Sequence, residues 1–275
     1  MFRRGLALAA LALLCVGAIL PSGPATSYWQ SRQQVAVAGG GAWTPASVTT
    51  AFWYKSDDTG TLTCTGGCTN GNEVTAWADK SGNARTLSKV STNGPDYNTG
   101  ILNSKACVHF DYTEPNAMTT ASFTLAQPFL IMTVIKTKSN PQVRNFGILV
   151  DDVAGTGNRP VMLFNVFSAS DQPGIFAGTA TRTVGVSLSA NTGYMYYGGF
   201  NGASSVTKVS GTAEQSGTDI GSNGFTTGFL LASTGADPAT TLDAYVCEIF
   251  AIPSYSGTDL TNAIAYVQSE WGVAP

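Results

Sequence analysis

The chain has 275 residues, of which only 11% are charged and 31 are glycine, and its formal net charge at pH 7 is −3. Ordinary soluble domains have about 25% charged residues, so this composition argues against a coiled coil, a helical bundle and a disordered acidic segment. The negative charge argues against electrostatic binding to nucleic acid or to an anionic membrane. The single histidine, His109, excludes a metal site built from several histidines.

The N-terminal segment, residues 1–25, has the pattern of an export signal. Arg3 and Arg4 precede an apolar run over residues 6–20, and a segment rich in proline and small residues follows. The apolar run is shorter than the ~20 residues that a membrane-spanning helix needs. We therefore expect a secreted protein that has no membrane association once the leader is removed. An uncleaved N-terminal anchor is one alternative, and a lipoprotein modified at Cys15 is another.

The rest of the chain divides into a linker and a β-rich domain. Residues 26–48 have no steady periodicity and contain three consecutive glycines, which predicts a flexible linker. From residue 49 to residue 275, short runs rich in valine, isoleucine, phenylalanine and tyrosine are separated by turn residues, as is typical of β-strands. The predicted strands cover residues 51–55, 73–77, 106–111, 129–136, 146–151, 160–166, 194–200, 228–232 and 243–252.

The C-terminal segment departs from the strand pattern. Leu260, Ile264 and Trp271 recur at helical spacing. An S-x-x-D sequence that begins at Ser256 is a helix start signal, and Gly272 is a stop signal. We therefore predict an all-β protein with one C-terminal amphipathic helix, which covers one end or edge of the β structure.

Four cysteines lie outside the leader, at Cys64, Cys68, Cys107 and Cys247, and they allow three pairings. Two glycines between Cys64 and Cys68 would permit a bridge across a very small loop. A zinc site is disfavoured because the chain has no second ligand pair at a suitable spacing. Cys107 and Cys247 lie in predicted strands and can form a disulfide only if those strands are neighbours. Two buried free thiols are the alternative.

Three groups of motifs, in a fixed order along the chain, indicate a family. The first is Trp-Ala-Asp-Lys-Ser-Gly-Asn at 77–83, followed by the strand at 108–111. The second is Tyr-Tyr-Gly-Gly-Phe-Asn-Gly at 196–202. The third is Glu-Ile-Phe-Ala-Ile-Pro at 248–253, followed by the helical pattern at 260–272. Together they resemble the laminin-G-like, concanavalin A-like jelly-roll domains of bacterial secreted proteins and phage structural proteins.

The resemblance covers about residues 49–275 and implies a two-sheet antiparallel jelly-roll sandwich. In this family the strand matching residues 108–111 lies near the strand matching residues 245–252, which implies a disulfide between Cys107 and Cys247. The motif at 77–83 also has a physical interpretation of its own. Asp79 can accept backbone N–H groups across the turn, while Gly82 takes a positive φ.

Catalytic residues are not apparent in the sequence. Glycosidases that share this fold carry paired acidic residues on one strand, and hydrolysis needs two carboxylates on opposite sides of the bond. None of the five glutamates has a carboxylate two residues away. His109 lies between apolar strand residues and has the pattern of an ordinary strand residue. We therefore expect no enzymatic activity and no catalytic residues, with a glycoside hydrolase as the least favoured alternative.

One strand offers candidate ligand-binding residues. Tyr194, Tyr196 and Phe200 share one face of a predicted strand, and Asn201 follows them. Aromatic rings that stack on sugars, beside asparagine or aspartate, are how jelly-roll lectins hold glycans. These four residues are the predicted binding site, and the alternative is that the rings fill the core.

A second cluster offers candidate metal ligands. Asp151, Asp152 and Asn158 lie in or near a loop after a predicted strand, and oxygen ligands of this kind suit Ca²⁺. Calcium is therefore the one candidate cofactor, with a solvated turn as the alternative.

Together these patterns predict a non-enzymatic carbohydrate-binding or adhesion module displayed outside the cell. Its partner would be a glycan or a surface polysaccharide, and neither nucleic acid nor a membrane. The alternative is a phage virion subunit of the head-decoration or tail-associated type. Its location would then be the virion surface and its partners other virion subunits.

Overall fold

A computed structural model describes residues 42–90, 92–114, 116–138, 147–154, 159–165, 172–233 and 242–275. The predicted leader and residues 26–41 of the predicted linker lie outside the described residues. Within the described ranges the chain forms antiparallel strands and a single α-helix, so the all-β prediction with one C-terminal helix is confirmed. None of the helices in these ranges combines the length and the apolar character that crossing a membrane requires.

The strands are β1 Phe52–Lys55, β2 Leu62–Cys64, β3 Asn72–Trp77, β4 Leu87–Lys89, β5 Asp96–Leu102, β6 Lys105–Phe110, β7 Met118–Thr119, β8 Phe129–Thr137, β9 Gly147–Asp152, β10 Val161–Asn165, β11 Gly174–Phe176, β12 Arg182–Thr183, β13 Gly193–Phe200, β14 Val206–Val209, β15 Gln215–Ser216, β16 Phe229–Leu231 and β17 Ala244–Pro253. The helix, α1, spans Gly257–Trp271. Short 3₁₀ helices span Pro45–Ser47, Thr59–Thr61 and Gly202–Ser204.

The strands form two antiparallel sheets that share one hydrophobic core. In the first sheet the order is β5, β6, β17, β8, β13, β14 and β15, and β1 pairs with the second half of β17 beside β6. In the second sheet the order is β2, β3, β4, β7, β16, β9, β10, β11 and β12. The first residues of β3 also pair with β5, which connects the two sheets.

The central strands of the first sheet are buried on both faces, as the almost entirely apolar sequence of β8 illustrates. Successive side chains of a strand point to opposite faces. Phe129 and Ile131 face the core between the sheets. Leu130 and Met132 belong to a second cluster, on the face that α1 covers. A strand that is covered on both faces is expected to have apolar residues at nearly every position, and not only at alternate positions.

Helix α1 begins and ends at the predicted signals. The hydroxyl group of Ser256 accepts the N–H of Asp259, whose carboxylate accepts the N–H of Ser256 in return. Gly272 ends the helix at a φ of +67°, where glycine avoids the strain of a side chain. Val267 and Trp271 are fully buried against the first sheet, so α1 covers a face of that sheet.

Trp43 belongs to the compact part of the chain. Residues 42–275 form one compact unit. The ring centroid of Trp43 lies 6.0 Å from that of Tyr266 and 6.5 Å from that of Phe250. Trp43, which lies in the predicted linker, thus packs against the helix side of the domain. The boundary at residue 48 stays a prediction.

Both predicted disulfides are present. Cys107 lies on β6 and Cys247 on β17, which are neighbouring strands, and the bridge between them is buried beneath α1. Cys64 and Cys68 are also bridged, across the loop after β2. Strand adjacency, which the family resemblance had implied, is what brings the first pair together and excludes the free-thiol alternative.

Candidate functional site

A polar pocket of about 380 Å³ lies beside Trp53, between β1, the turns that follow β1 and β3, and α1. We call it the Trp53 pocket. Five of its eight lining residues are charged, in a chain where charged residues make up only 11% of the total. This concentration of charge marks the pocket as a candidate site. Its lining residues are Thr44, Trp53, Lys55, Asp57, Asp58, Lys80, Tyr266 and Glu270.

The alternation of β1 directs two side chains toward the pocket. Phe52 and Tyr54 are fully buried in the core between the sheets. Trp53 and Lys55 therefore point to the opposite face, where α1 lies. Trp53 is 8% exposed, and it packs with the residues of the helix-side cluster.

The buried carboxylate of Glu248 holds the two aromatic residues of the pocket, Trp53 and Tyr266, by hydrogen bonds. Glu248, on β17, is fully buried and accepts three hydrogen bonds. Trp53 Nε1 donates at 2.6 Å, the Tyr266 hydroxyl at 2.8 Å and Trp271 Nε1 at 2.5 Å. Burial raises the pKa of Glu248 to about 7, although these three hydrogen bonds oppose the rise. Glu248 thus holds the Trp53 and Tyr266 side chains in fixed orientations.

Two lysines and two carboxylates form a network at one side of the pocket. Lys55 Nζ lies 2.5 Å from Glu270 and 3.6 Å from Asp57. Lys105 Nζ lies 3.2 Å from Asp57 and also pairs with Glu270. Burial raises the pKa of Glu270, but the hydrogen bonds from Lys105 and Lys55 outweigh burial and lower it overall. Both carboxylates of this network therefore face ammonium groups.

A separate ion pair, between Lys80 and Asp58, also lines the pocket. Lys80 Nζ pairs with the carboxylate of Asp58 and lies 5.1 Å from the centroid of the Trp53 ring. This is within the range of a cation–π contact. The hydrogen bond from Lys80 lowers the pKa of Asp58. The Lys80 ammonium group therefore contacts both the carboxylate of Asp58 and the ring of Trp53.

The turn that carries Lys80 is held by Asp79, as the sequence predicted. The Asp79 carboxylate accepts the backbone N–H groups of Ser81 at 2.8 Å and Arg85 at 3.1 Å. It also accepts the N–H of Trp53 at 2.9 Å, so the turn is tied to β1. Gly82 has a φ of +85°, which explains the glycine at that position. The motif at 77–83 positions one wall of the pocket.

The predicted aromatic site does not form an open face. Tyr196 and Phe200 are fully buried, and the Tyr196 hydroxyl donates to Gly174 O at 2.6 Å in the second sheet. Tyr194 packs partly buried against the same core. Asn201 is exposed beyond the end of β13. Tyr196 and Phe200 therefore lie in the core between the sheets, which is the alternative that the sequence left open.

Two of the predicted calcium ligands, Asp151 and Asp152, accept hydrogen bonds from other groups of the protein. Asp152 accepts the N–H groups of Ala154 at 3.0 Å and Thr226 at 2.5 Å. Asp151 accepts Arg159 Nε at 2.5 Å, and burial raises its pKa to about 6 despite that bond. Among the residues that the structure describes, no group of three histidine, cysteine, aspartate or glutamate side chains could hold a metal ion.

Protein donors thus occupy both carboxylate oxygens of Asp152 and the Oδ1 atom of Asp151, whereas Oδ2 of Asp151 is buried without a hydrogen-bond partner. Calcium binding at these residues stays a prediction. The third predicted ligand, Asn158, lies outside the described residues.

The sequence did not predict the Trp53 pocket, because the residues that line it are far apart in the chain. Lys55 and Glu270, for example, are 215 residues apart. One local signal was present. Lys55, Asp57 and Asp58 form a charged cluster at the end of a predicted strand, in a chain with few charges.

Known proteins share the fold of this chain at low sequence identity. No protein-family description matches the sequence, and no curated protein sequence does either. Domain 4 of AbnA, an extracellular GH43 arabinanase from Geobacillus stearothermophilus, was solved in complex with arabinotriose. It matches with a TM-score of 0.58 at 9% identity, over 78% of this chain and 98% of the domain.

Two further structures match over part of their length. The binding domain of Paraclostridial Mosquitocidal Protein 1 has a TM-score of 0.53 at 11% identity, over 82% of this chain and 55% of that one. Trypanosoma rangeli sialidase in complex with sialic acid has a TM-score of 0.52 at 9% identity, over 89% of this chain and 38% of the sialidase. The chain thus spans little more than half of the first protein and well under half of the second. At these identities the likeness shows a shared β fold.

Proposed function

We propose that this protein is a secreted carbohydrate-binding module, built as a laminin-G-like jelly roll, that holds a glycan in the Trp53 pocket. The main support for this proposal is the pocket itself, where paired lysines and carboxylates lie beside the Trp53 and Tyr266 side chains that Glu248 holds in place. Its volume of about 380 Å³ falls within the ~300–1,000 Å³ typical of small-molecule sites. Domain 4 of the arabinanase, which this fold matches over nearly its full length, was solved with arabinotriose, and this supports the choice of ligand class.

The chemistry of the pocket suits sugar hydroxyl groups. A hydroxyl group donates one hydrogen bond and accepts others, a carboxylate only accepts and an ammonium group only donates. Asp58 and Lys80 together offer both functions within one ion pair. The Trp53 and Tyr266 side chains supply apolar surface beside them. Rigid aromatic groups with a few polar partners are what a selective ligand site requires.

The state of the carboxylates supports binding without hydrolysis. A glycoside hydrolase needs one carboxyl group that is protonated and can reach the glycosidic oxygen. Glu270 and Asp58 accept hydrogen bonds from lysines that lower the pKa of each, so both stay ionised near neutral pH. Glu248 has a raised pKa, but its carboxyl group is fully buried and bonded to three aromatic side chains. We therefore propose adhesion with no catalytic step.

Secretion is the location that fits the proposal. Disulfides persist mainly in oxidising compartments, and the structure contains two. The export signal that the sequence predicts at residues 1–25 agrees with this location. In this setting the module would meet an extracellular or cell-surface polysaccharide.

A glycan-binding assay with matched lysine variants tests the proposal. The secreted chain is titrated by calorimetry with oligosaccharides from a broad panel, arabinotriose included. Lys80→Ala removes a donor from the pocket and should weaken binding about tenfold or more, which is ~1.4 kcal/mol. Lys89→Ala is the matched control, because Lys89 forms a similar ion pair, with Glu73, and does not line the pocket.

Failure of the whole panel to bind would contradict the proposal and would favour the structural alternative, a virion subunit. Equal loss of affinity in both lysine variants would place the glycan outside the Trp53 pocket.

A further inference from the structure

The charges around the Trp53 pocket are balanced by direct pairing. Lys80 pairs with Asp58, while Lys55 and Lys105 pair with Glu270 and Asp57. Three ammonium groups thus face three carboxylates. Every lysine that lines the pocket already lies against a carboxylate.

An acidic ligand would meet these carboxylates at close range. To reach Lys80 it would have to displace Asp58 or lie beside it, and like charges placed side by side in a binding site are strongly unfavourable. Nor would the network around Lys55 offer an unpaired cation, because Glu270 and Asp57 both flank that ammonium group. Glu248 lies buried behind Trp53 and adds negative charge once it ionises.

An uncharged sugar meets no such conflict. A carboxylate has about four acceptor sites and an ammonium group three donors, so an ion pair keeps further hydrogen-bonding capacity on both sides. Two adjacent hydroxyl groups of a sugar can donate to Asp58 and accept from Lys80 without separating the pair. The ligand then gains charge-assisted hydrogen bonds, which are stronger than neutral ones.

We infer that the Trp53 pocket selects uncharged oligosaccharides with adjacent hydroxyl groups and discriminates against uronic, sialic and other acidic sugars. This inference rests on the proposed function, whose ligand class it narrows. The paired lysines and carboxylates are its basis, and Asp58 is the specificity-determining residue.

Binding to matched neutral and acidic ligands tests this selectivity. Arabinotriose, galactotriose and cellotriose are each compared, by calorimetry, with the same trisaccharide oxidised to a carboxylate at a primary hydroxyl group. We expect the oxidised form of each trisaccharide that binds to bind at least about tenfold more weakly, because its carboxylate opposes those of the pocket. Measurement at 20 mM and 500 mM NaCl should show the difference shrinking at high salt.

Two variants separate charge from shape. Asp58→Asn removes one carboxylate and leaves Lys80 without its ionic partner, so it should reduce the preference for the neutral ligand about tenfold or reverse it. Glu73→Gln removes one negative charge from the similar pair with Lys89, outside the pocket, and should leave the preference unchanged. Unfolding curves of both variants verify that they are folded.

The possible results distinguish the inference from the proposed function. If acidic ligands bind the unmodified protein as tightly as their neutral partners or more tightly, the selectivity is overturned and the carbohydrate-binding function stands. An unchanged preference in the Asp58→Asn variant also overturns the role of the paired charges. If no sugar of either type binds, the proposed function and the inference fall together.

Discussion

Replacing Glu248 with glutamine should remove a pH-dependent component of the stability of the fold. Glu248 is fully buried, and burial raises its pKa from 4.5 to about 7. A carboxyl group with a raised pKa binds more protons in the folded state than in the unfolded state between these two values. Its contribution to stability is therefore fully present below pH 4.5 and is lost as the pH rises through 7.

The size of this contribution follows from the shift in pKa. One pKa unit corresponds to about 1.4 kcal/mol, so a shift from 4.5 to about 7 corresponds to about 3 kcal/mol between pH 4 and pH 8. Glutamine has nearly the same shape and does not ionise, so the Glu248→Gln variant lacks this dependence. It also leaves one of three donors without an acceptor, which lowers stability by a constant amount at every pH.

Urea unfolding of both proteins from pH 4 to pH 8, with the disulfides intact, measures this effect. The stability of the unmodified protein minus that of Glu248→Gln should fall by about 3 kcal/mol across the range. Taking the difference cancels the titration of other groups. Glu114→Gln, which alters an exposed carboxylate, is the control and should give a difference that is flat within about 0.5 kcal/mol. A flat difference for Glu248→Gln would show that burial does not raise the pKa of Glu248 in the folded protein.

Three further variants test the packing of the domain, each by urea unfolding. Replacing Cys107 and Cys247 together with alanine should cost about 5 kcal/mol, since their bridge closes a separation of 140 residues; a loss below about 1 kcal/mol would contradict this. Asp152→Ala removes the acceptor of several loop N–H and O–H groups and should cost about 2–3 kcal/mol, and unchanged stability would contradict its structural role. Gly221→Ala should destabilise by more than about 2 kcal/mol, because φ is +101° and the new Cβ would overlap Ala177 O; a neutral effect would show that the loop can shift.

Much of the fold was predictable because its signals are local. The run at 129–136 is rich in β-branched and aromatic residues, and the structure has β8 there. Helix α1 has its start signal at Ser256 and its stop at Gly272, so its limits depend on only a few neighbouring residues. The turn at Asp79 is local in the same way, and its hydrogen bonds were predicted correctly.

The candidate site was not predictable from local patterns, because tertiary packing decides which faces are exposed. Tyr196 and Phe200 share a strand face, as predicted, but the position of the second sheet determines that this face is closed. The Trp53 pocket forms only when α1 packs on the face of the first sheet to which Trp53 and Lys55 of β1 point. Such contacts cannot be read from local sequence patterns, since Trp53 and the buried Glu248 to which it donates are 195 residues apart.

A crystal structure of the protein with the neutral oligosaccharide that binds most tightly tests the central claim directly. We expect electron density for a sugar in the Trp53 pocket, with hydroxyl groups within hydrogen-bond distance of Lys80 and Asp58. Density for the sugar at any other surface, with the Trp53 pocket empty, would contradict it.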